Sequence, residues 1–400
     1  LSLIEDDYNI IKSFIDKTVI KDISLASKWA PREGKAFADF IPNLQRLCKL
    51  YGKHSKESWR KLIKYINNKS PQPIVIETLL SEKRYDEVDF SNIPSRAFNL
   101  YKNHFKTNEY LRDRFNEFIQ NSYNNEIEAK TIKVNTLHPH EIVKSYITQY
   151  LNNRFDLEAN IPIKLDEVVE VQWLNYTNSV NNMSANLNHS NCNFIPMIDI
   201  SASMFMYDAQ PMSTALTLGI LFAQISKGFM KNKAITFSGI PILYDITGNT
   251  LNEKVNCIFN ELKKPENERG SECNTDFISA FDCLLEYCNQ NNISNDDLKK
   301  TKIIALSDME FDKCCIKKQD NESMALIRHK FKLCGYTDMP QLIFWNLTGS
   351  LNIPDSINSN TVCLSGFEPS VIDEFLFTEN ITPKNLAFNV IKKYFQLVSI

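Results

Sequence analysis

The strongest constraint on the fold is a change of hydrophobic period along the chain. From Phe194 onward, short apolar runs typical of buried parallel strands alternate with amphipathic stretches of helical period. The predicted strands are Phe194–Ile200, Lys233–Ser238, Ile242–Ile246 at an edge, Lys302–Ser307, Gln341–Leu347 and Asn360–Ser365. Repeated strand–helix units predict a doubly wound, Rossmann-like α/β domain with a mostly parallel sheet and helices on both faces.

Before Phe194 the apolar residues recur at helical spacing. Helices are predicted to begin at Pro94 and Pro139 and to cover Tyr110–Tyr123 and Asp166–Leu174. No regular repeat period emerges, so we predict an irregular or degenerate helical-repeat domain. The fold class expected for the whole chain is therefore α followed by α/β.

An Asn- and Ser-rich stretch, Thr177–Asn193, lies between the two patterns and predicts a linker. We place a helical domain at 1–182, the linker at 183–193 and the α/β domain at 194–400. Both domains fall within the usual size range for a compact unit.

The charge balance excludes a strongly basic nucleic-acid binder. The chain has 45 Lys and Arg against 48 Asp and Glu, a formal net charge of −3. Residues 1–190 contain 26 basic and 24 acidic side chains, which leaves 19 and 24 for the rest. Neither half is a strong polyelectrolyte, so electrostatics alone does not identify a partner.

Glycine is scarce, with 10 in the chain, and neither a G-x-G-x-x-G motif nor a P-loop occurs. Because close approach of backbone to phosphate needs such glycines, we expect no nucleotide cofactor. The sequence also contains no G-x-S-x-G motif and no Cys/His pair in a recognised catalytic setting. We therefore expect a protein that is not an enzyme.

The 10 cysteines show no zinc-ligand spacing, and nine of them lie at Cys192 or later. Leu1–Ile20 is charged and unlike a secretory signal, and no apolar stretch is long enough to span a membrane. We expect an intracellular, cytoplasmic protein with reduced thiols and no membrane contact, or a virion protein if the source is viral. A secreted, disulfide-bonded protein is the rival interpretation.

Oxygen-bearing side chains follow the first predicted strand in a tight pattern. Asp199, Ser201 and Ser203 are spaced two residues apart where the chain leaves that strand. Thr275 at a later helix start and Asp308 at a later strand end are expected at the same edge of the sheet. Carboxylate and hydroxyl oxygens suit a hard divalent cation such as Mg²⁺. The alternative is that Asp199 and Ser201 simply cap the following helix.

This pattern resembles the von Willebrand factor A (vWA) domain and its metal-ion-dependent adhesion site, D-x-S-x-S followed by a distant Thr and Asp. The resemblance implies that Asp199, Ser201, Ser203, Thr275 and Asp308 hold one cation. Mg²⁺ is the expected ion, with Mn²⁺ and Ca²⁺ as alternatives. Many family members have Gly where Ala202 stands, but a small residue still fits the turn.

The resemblance extends over most of the chain, to an uncharacterised family that joins a helical N-terminal region to a C-terminal vWA domain. That family occurs in plants, fungi and large DNA viruses and has no established activity. The matching stretches are Lys28–Pro31, Tyr85–Arg96, Leu137–Glu141, Phe194–Met204, Thr236–Ser238, Asn274–Phe277, Ser307–Asp312 and Ile343–Leu347. The layout is also similar to the Ro autoantigen, in which a helical-repeat ring joins a vWA domain and binds misfolded or small non-coding RNA.

Two features outside this motif leave alternatives open. His138 and His140 flank Pro139, and packing or capping is favoured over a metal or catalytic role because no third ligand is in spacing. Aromatic and basic residues interleave in Arg96–Lys106 and Tyr110–Phe115, a pattern that fits either an RNA-stacking surface or ordinary amphipathic helices.

The leading expectation is metal-dependent binding of a protein partner whose acidic residue completes the metal shell, as an interaction or scaffold protein. The first alternative is an RNA-binding protein of Ro-like layout that uses its helical domain. The second is a structural or virion-packaged viral protein.

Overall fold

A computed structural model describes residues 75–124, 131–134, 137–154, 162–186, 193–237, 240–262, 277–309, 320–348 and 361–366, with Asp39, Lys61 and Lys384 as isolated positions. The chain forms two compact units, Leu1–Val88 and Asp89–Ile400. In the first unit, helix α1 (Ile76–Ser81) is followed by a 3₁₀ turn, Tyr85–Glu87. Arg84 pairs with the carboxylates of Glu82 and Glu87 at 2.9 and 2.6 Å.

The second unit begins with four helices of the predicted helical region. They are α2 (Ser95–Thr107), α3 (Arg112–Tyr123), α4 (Pro139–Arg154) and α5 (Glu167–Asn186). The helices predicted after Pro94, after Pro139 and within 110–123 are confirmed. Pro94 precedes α2 and Pro139 opens α4, the positions where a fixed φ and a missing N–H are tolerated.

Helix α5 continues well beyond Leu174, through residues that the polar composition predicted as a linker. Tyr176 and Val180 are buried in the same core as Trp173, so packing overrides the weak helix propensity of the Asn-rich stretch. The Thr177 hydroxyl donates to the Trp173 carbonyl at 3.0 Å and stays within the helix. The division of the chain at 182 and 194 into two domains stays a prediction.

The remainder of the second unit contains a six-stranded sheet. Its strands are β1 (Asn193–Asp199), β2 (Lys233–Phe237), β3 (Ile242–Asp245), β4 (Thr301–Ser307), β5 (Gln341–Asn346) and β6 (Thr361–Ser365). The spatial order is β3-β2-β1-β4-β5-β6. Every neighbouring pair is parallel except β2 and β3. The predicted edge position of β3 is confirmed, and its antiparallel direction is a finding of the structure. The expected mostly parallel α/β sheet is therefore confirmed.

Two hydrophobic clusters cover the two faces of the sheet. The helices involved are α6 (Met206–Ile225), α7 (Leu251–Leu262), α8 (Phe277–Gln290), α9 (Asn295–Lys299) and α10 (Asp320–Leu333). Residues of α6 and α7 share one cluster with α4 and α5, and residues of α8 and α10 form the other. Because both faces of the sheet are covered by apolar side chains, the sequence of each buried strand is a continuous apolar run.

One glycine sets the distance between α6 and β1. A Cβ atom at Gly219 would lie 2.4 Å from Cδ1 and 2.7 Å from Cγ1 of Ile198, the residue before Asp199. The missing side chain therefore lets the helix pack directly on the strand that ends in the predicted metal motif.

Gly219→Ala is expected to lower the free energy of unfolding by up to about 2 kcal/mol. The overpacking cost of about 1–3 kcal/mol is offset in part by a gain in helix propensity of about 1 kcal/mol. Urea denaturation measures the effect. Ile198→Val removes the nearest methyl group, so the double variant should lose less than the sum of the two single variants. Additive losses would contradict the contact.

No helix in the described part of the chain is long and apolar enough to cross a bilayer. The cysteines described there are free thiols: Cys288 is buried, and Cys257, Cys283, Cys334 and Cys363 are half-buried. Burial raises the pKa of the Cys288 thiol to about 12, as expected for a packing residue.

Candidate metal centre

Polar side chains follow β1 and β4 at the point where the strand order of the sheet reverses. From β1 the chain continues to β2 on one side, whereas β4 lies on the other side. In open α/β sheets, ligands bind in the crevice outside the carboxyl ends of such a strand pair. Asp199 ends β1, Ser307 ends β4 and Asp308 follows directly. These residues therefore lie where this fold class binds ligands.

The Asp199 carboxylate is fully buried and held from two sides. The backbone N–H of Ser201 donates to Oδ1 at 2.9 Å, and the Ser307 hydroxyl donates to Oδ2 at 2.6 Å. The Ser201 side chain also hydrogen-bonds the carboxylate. The groups that orient the carboxylate, Ser201 and Ser307, are neutral, so neither of them compensates its charge.

The electrostatics of the site disfavour two negative charges without a cation. Burial, together with the negative charge of Asp308, raises the pKa of Asp199 to about 6 from an ordinary 3.8. The hydrogen bonds from Ser201 and Ser307 act in the opposite direction because they stabilise the charged form. Asp308 is itself only 2% exposed. A divalent cation would compensate both carboxylates.

Ser201 and Ser203 bring two hydroxyl groups to the same edge. Their Oγ atoms lie 3.1 Å apart, with Ser201 buried and Ser203 half-buried. A 3₁₀ turn, Ala202–Phe205, begins directly after Ser201 and folds the second hydroxyl back toward the first. Ala202 is exposed in this turn, so the replacement of the more usual Gly leaves the turn intact.

The helix-capping alternative for Asp199 and Ser201 is wrong. Ser201 makes no side-chain capping bond to the turn that follows it, and α6 begins later, with Phe205 as its preceding residue. Asp199 instead accepts a bond from Ser201 N, inside the motif itself. Capping therefore does not account for the two side chains.

The structure adds polar residues from β4 and β5 that the sequence reasoning missed. Ser307 binds Asp199, and the Thr348 hydroxyl donates to the Asp308 carbonyl at 3.2 Å. Asn346, the last residue of β5, accepts from Thr348 N at 3.0 Å. Ser307 and Asn346 are each the polar residue at the end of an apolar run, and this signal in the sequence could have identified them.

Four of the five predicted ligands lie in the described part of the chain. Asp199, Ser201 and Ser203 are linked by hydrogen bonds, and Asp308 is close enough for its charge to act on Asp199. Thr275 lies outside the described residues.

The donor set fits a hard divalent cation. Mg²⁺ prefers oxygen ligands, is commonly held through one or two carboxylates, and keeps several waters. The two buried carboxylates and two hydroxyls at this edge meet that description. Among the described residues no group of three or more His, Cys, Asp or Glu side chains is placed to hold a metal. The candidate site relies on only two such residues and on hydroxyls for the rest.

The three phenylalanines of the interleaved basic segments belong to the hydrophobic core, whereas Tyr101 is half-buried and Tyr110 is 65% exposed. Phe98, Phe105 and Phe115 are fully buried and form one cluster with Phe90, in which the ring centroids of contacting pairs are 5.4–5.9 Å apart. The basic residues around them contact acids: Arg96 pairs with Glu141, Lys102 and Lys106 with Asp166, and Arg112 with Asp113. The three phenylalanine rings are therefore not available as stacking platforms for RNA.

The histidines beside Pro139 stack on each other. The rings of His138 and His140 are 5.4 Å apart and nearly parallel, and burial lowers the pKa of His140 to about 4. Glu141 accepts a bond from His138 N at 2.7 Å and pairs with Arg96. This geometry agrees with packing and capping at the start of α4.

Comparisons with known proteins match both parts of the chain. The family described as "Domain of unknown function (DUF7788)" matches residues 193–394, and "Domain of unknown function (DUF2828)" matches residues 2–185. An uncharacterized protein of Acanthamoeba polyphaga mimivirus is 28% identical over 391 residues, which cover 93% of this chain and 61% of the viral protein. The chain thus spans about three fifths of that relative's length.

Proposed function

Since the chain belongs to the DUF7788 family, we propose that its matched region is a vWA-type domain that binds a macromolecular partner through a metal-ion-dependent adhesion site. The proposed role is that of an interaction or scaffold protein and not of an enzyme. The viral relative agrees with the wider resemblance to a family that has members in large DNA viruses.

One observation carries this proposal. At the switch point of the sheet, the buried Asp199 carboxylate is hydrogen-bonded by the neutral residues Ser201 and Ser307, and the charge of Asp308 adds to burial in raising its pKa. The Ser203 hydroxyl lies beside that of Ser201. The strand order with one antiparallel edge supports the vWA assignment, because it puts the motif at that switch point.

In this proposal Asp199, Ser201 and Ser203 hold Mg²⁺ directly, and Thr275 and Asp308 hold it directly or through water. Mn²⁺ and Ca²⁺ are the alternative ions, since all three prefer oxygen donors. When bound, the cation would offer an open coordination position to an acidic side chain of a protein partner. The protein's own residues orient the donors and keep the site buried.

Affinity purification tests the partner. Full-length tagged protein and an Asp199→Ala variant are used as bait, with and without EDTA, and both protein and RNA are identified in the eluate. We expect a protein partner that binds the wild type in Mg²⁺ and is lost with EDTA and with Asp199→Ala. Asp245→Asn, an exposed carboxylate at the end of β3, should retain it.

Partner binding that is unchanged by EDTA and by Asp199→Ala would contradict the proposal. RNA that stays bound in EDTA and is released as salt is raised would favour the RNA-binding alternative, because phosphate contacts release counterions.

A further inference from the structure

We propose that Ser307 is a positioning residue of the candidate metal centre, one that holds the Asp199 carboxylate in place without being a ligand itself. This inference rests on the proposed metal site at Asp199. The residue lies outside the D-x-S-x-S motif and comes from the neighbouring strand β4.

The register of the sheet brings the two residues together. Ile198 of β1 pairs with Leu306 of β4, so Asp199 and Ser307 come next on the two strands. Ile198 and Leu306 contribute to one hydrophobic cluster, and side chains alternate between the faces of a strand. Asp199 and Ser307 therefore leave the sheet on the same side.

The hydrogen bonds fix the direction of the Ser307 hydroxyl. Its Oγ accepts from the backbone N–H of Met309 at 3.0 Å and donates to Asp199 Oδ2 at 2.6 Å. Met309 has φ +63°, a conformation that L residues rarely adopt, and its N–H points back to the end of β4. The hydroxyl has one proton, and that proton is committed to the carboxylate.

Two anchors from different elements then determine how Asp199 presents its oxygens. Ser201 N occupies one site on Oδ1, Ser307 Oγ occupies one site on Oδ2, and the Ser201 hydroxyl is a third donor to the carboxylate. A carboxylate has about four lone-pair sites, so at least one remains for a cation. Without the Ser307 hydroxyl, only the motif's own turn would orient the side chain, and its rotation about χ2 would be less restricted.

Hydrogen-bonding groups that orient a metal ligand typically contribute about 10- to 100-fold to metal affinity. We therefore expect Ser307→Ala to raise the Kd for Mg²⁺ by about that factor. Ser307→Thr keeps the hydroxyl and should restore affinity to near the wild-type value. Ser307→Cys fills the space with a weak donor, so its Kd for Mg²⁺ should be close to that of Ser307→Ala.

The matched control is Ser226→Ala. Ser226 is also buried and its hydroxyl contacts the backbone N–H and carbonyl of Phe194 at 3.0 and 3.2 Å, near the opposite end of β1. The control is expected to lose stability without losing affinity for Mg²⁺.

The experiment is calorimetric titration of Mg²⁺ into the full chain for the wild type and these variants, with urea denaturation of each in EDTA. Weak binding by Ser307→Ala and recovery by Ser307→Thr are the expected results. Unchanged affinity in Ser307→Ala, or equal weakening in Ser226→Ala, would refute the positioning role alone. Absence of binding by the wild type would refute the metal site itself and the inference with it.

Discussion

Replacing Asp199 with asparagine is expected to stabilise the metal-free protein at pH 7, although it removes a carboxylate that makes two hydrogen bonds. Burial raises the pKa of Asp199 to about 6 from 3.8, so keeping this group charged costs up to about 3 kcal/mol. Asparagine is neutral and has nearly the same shape. Urea denaturation in EDTA should show the gain in the free energy of unfolding.

The pH dependence of this gain identifies its cause. The folded protein binds the Asp199 proton more tightly than the unfolded chain does, so the cost is fully present above about pH 6. It is lost as the pH falls from about 6 to below 3.8, because only there is the group mostly protonated in the unfolded chain as well. The advantage of Asp199→Asn should therefore shrink below about pH 6 and disappear below about pH 3.8. A wild type that is more stable than Asp199→Asn in EDTA at pH 7 would contradict this account.

Adding Mg²⁺ at about 1,000 times its Kd should make the wild type the more stable of the two proteins. A ligand that binds only the folded state at this concentration stabilises it by about 4.1 kcal/mol, more than the cost of up to about 3 kcal/mol for the buried charge. The wild type should gain this amount and Asp199→Asn should gain none. Asp245→Asn, with its exposed carboxylate, provides the control and should respond like the wild type.

Replacing Glu170 with alanine is expected to lower the free energy of unfolding by about 3–5 kcal/mol. Glu170 is 4% exposed, and its carboxylate accepts bonds from Leu251 N at 2.7 Å, Asn252 N at 2.8 Å and the Tyr146 hydroxyl at 2.6 Å. Glu170, which lies on α5, therefore caps the N-terminus of α7, where the helix dipole favours a negative charge. Its removal leaves the two buried N–H groups without partners, at about 1–3 kcal/mol each before relaxation, and leaves the Tyr146 hydroxyl only its 3.4 Å bond to the Asp166 carbonyl.

Urea denaturation of Glu170→Ala tests this, with Glu167→Ala as the control. Glu167 lies on the same helix, and its side chain is exposed. Exposed substitutions usually change stability by less than about 0.5 kcal/mol. Equal losses in the two variants would show that the cap contributes nothing specific. Glu170→Gln retains the shape and should fall between the wild type and Glu170→Ala.

Much of the α/β region could be predicted because each strand is a short apolar run buried on both faces. Phe194–Ile200 and Lys302–Ser307 were predicted within one or two residues of the observed strands. The lateral order of the strands could not be predicted, because hydrophobic periodicity does not show which strands are neighbours in the sheet. The extension of α5 to Asn186 was missed for a related reason: Val180 is buried by tertiary packing that its polar neighbours do not reveal.

The residues of the candidate site likewise differ in how far the sequence predicts them. The spacing of Asp199, Ser201 and Ser203 was sufficient to group them, because one turn brings them together. Asp308 needed the expectation of parallel strands, and its placement after β4 agrees with that expectation. Ser307 could not be assigned from spacing, since its bond to Asp199 depends on the register of two strands far apart in the chain. The same holds for Glu170, which a sequence shows only as one acid on a helix.

Isothermal titration of Mg²⁺ into the full chain and into Asp199→Ala, at pH 7.5 after removal of metal, decides whether Asp199 belongs to a metal site. We expect saturable heat with one ion per chain in the wild type and no binding heat in the variant. Equal heats from the two proteins, or no heat from either, would contradict a metal centre at the switch point of the sheet.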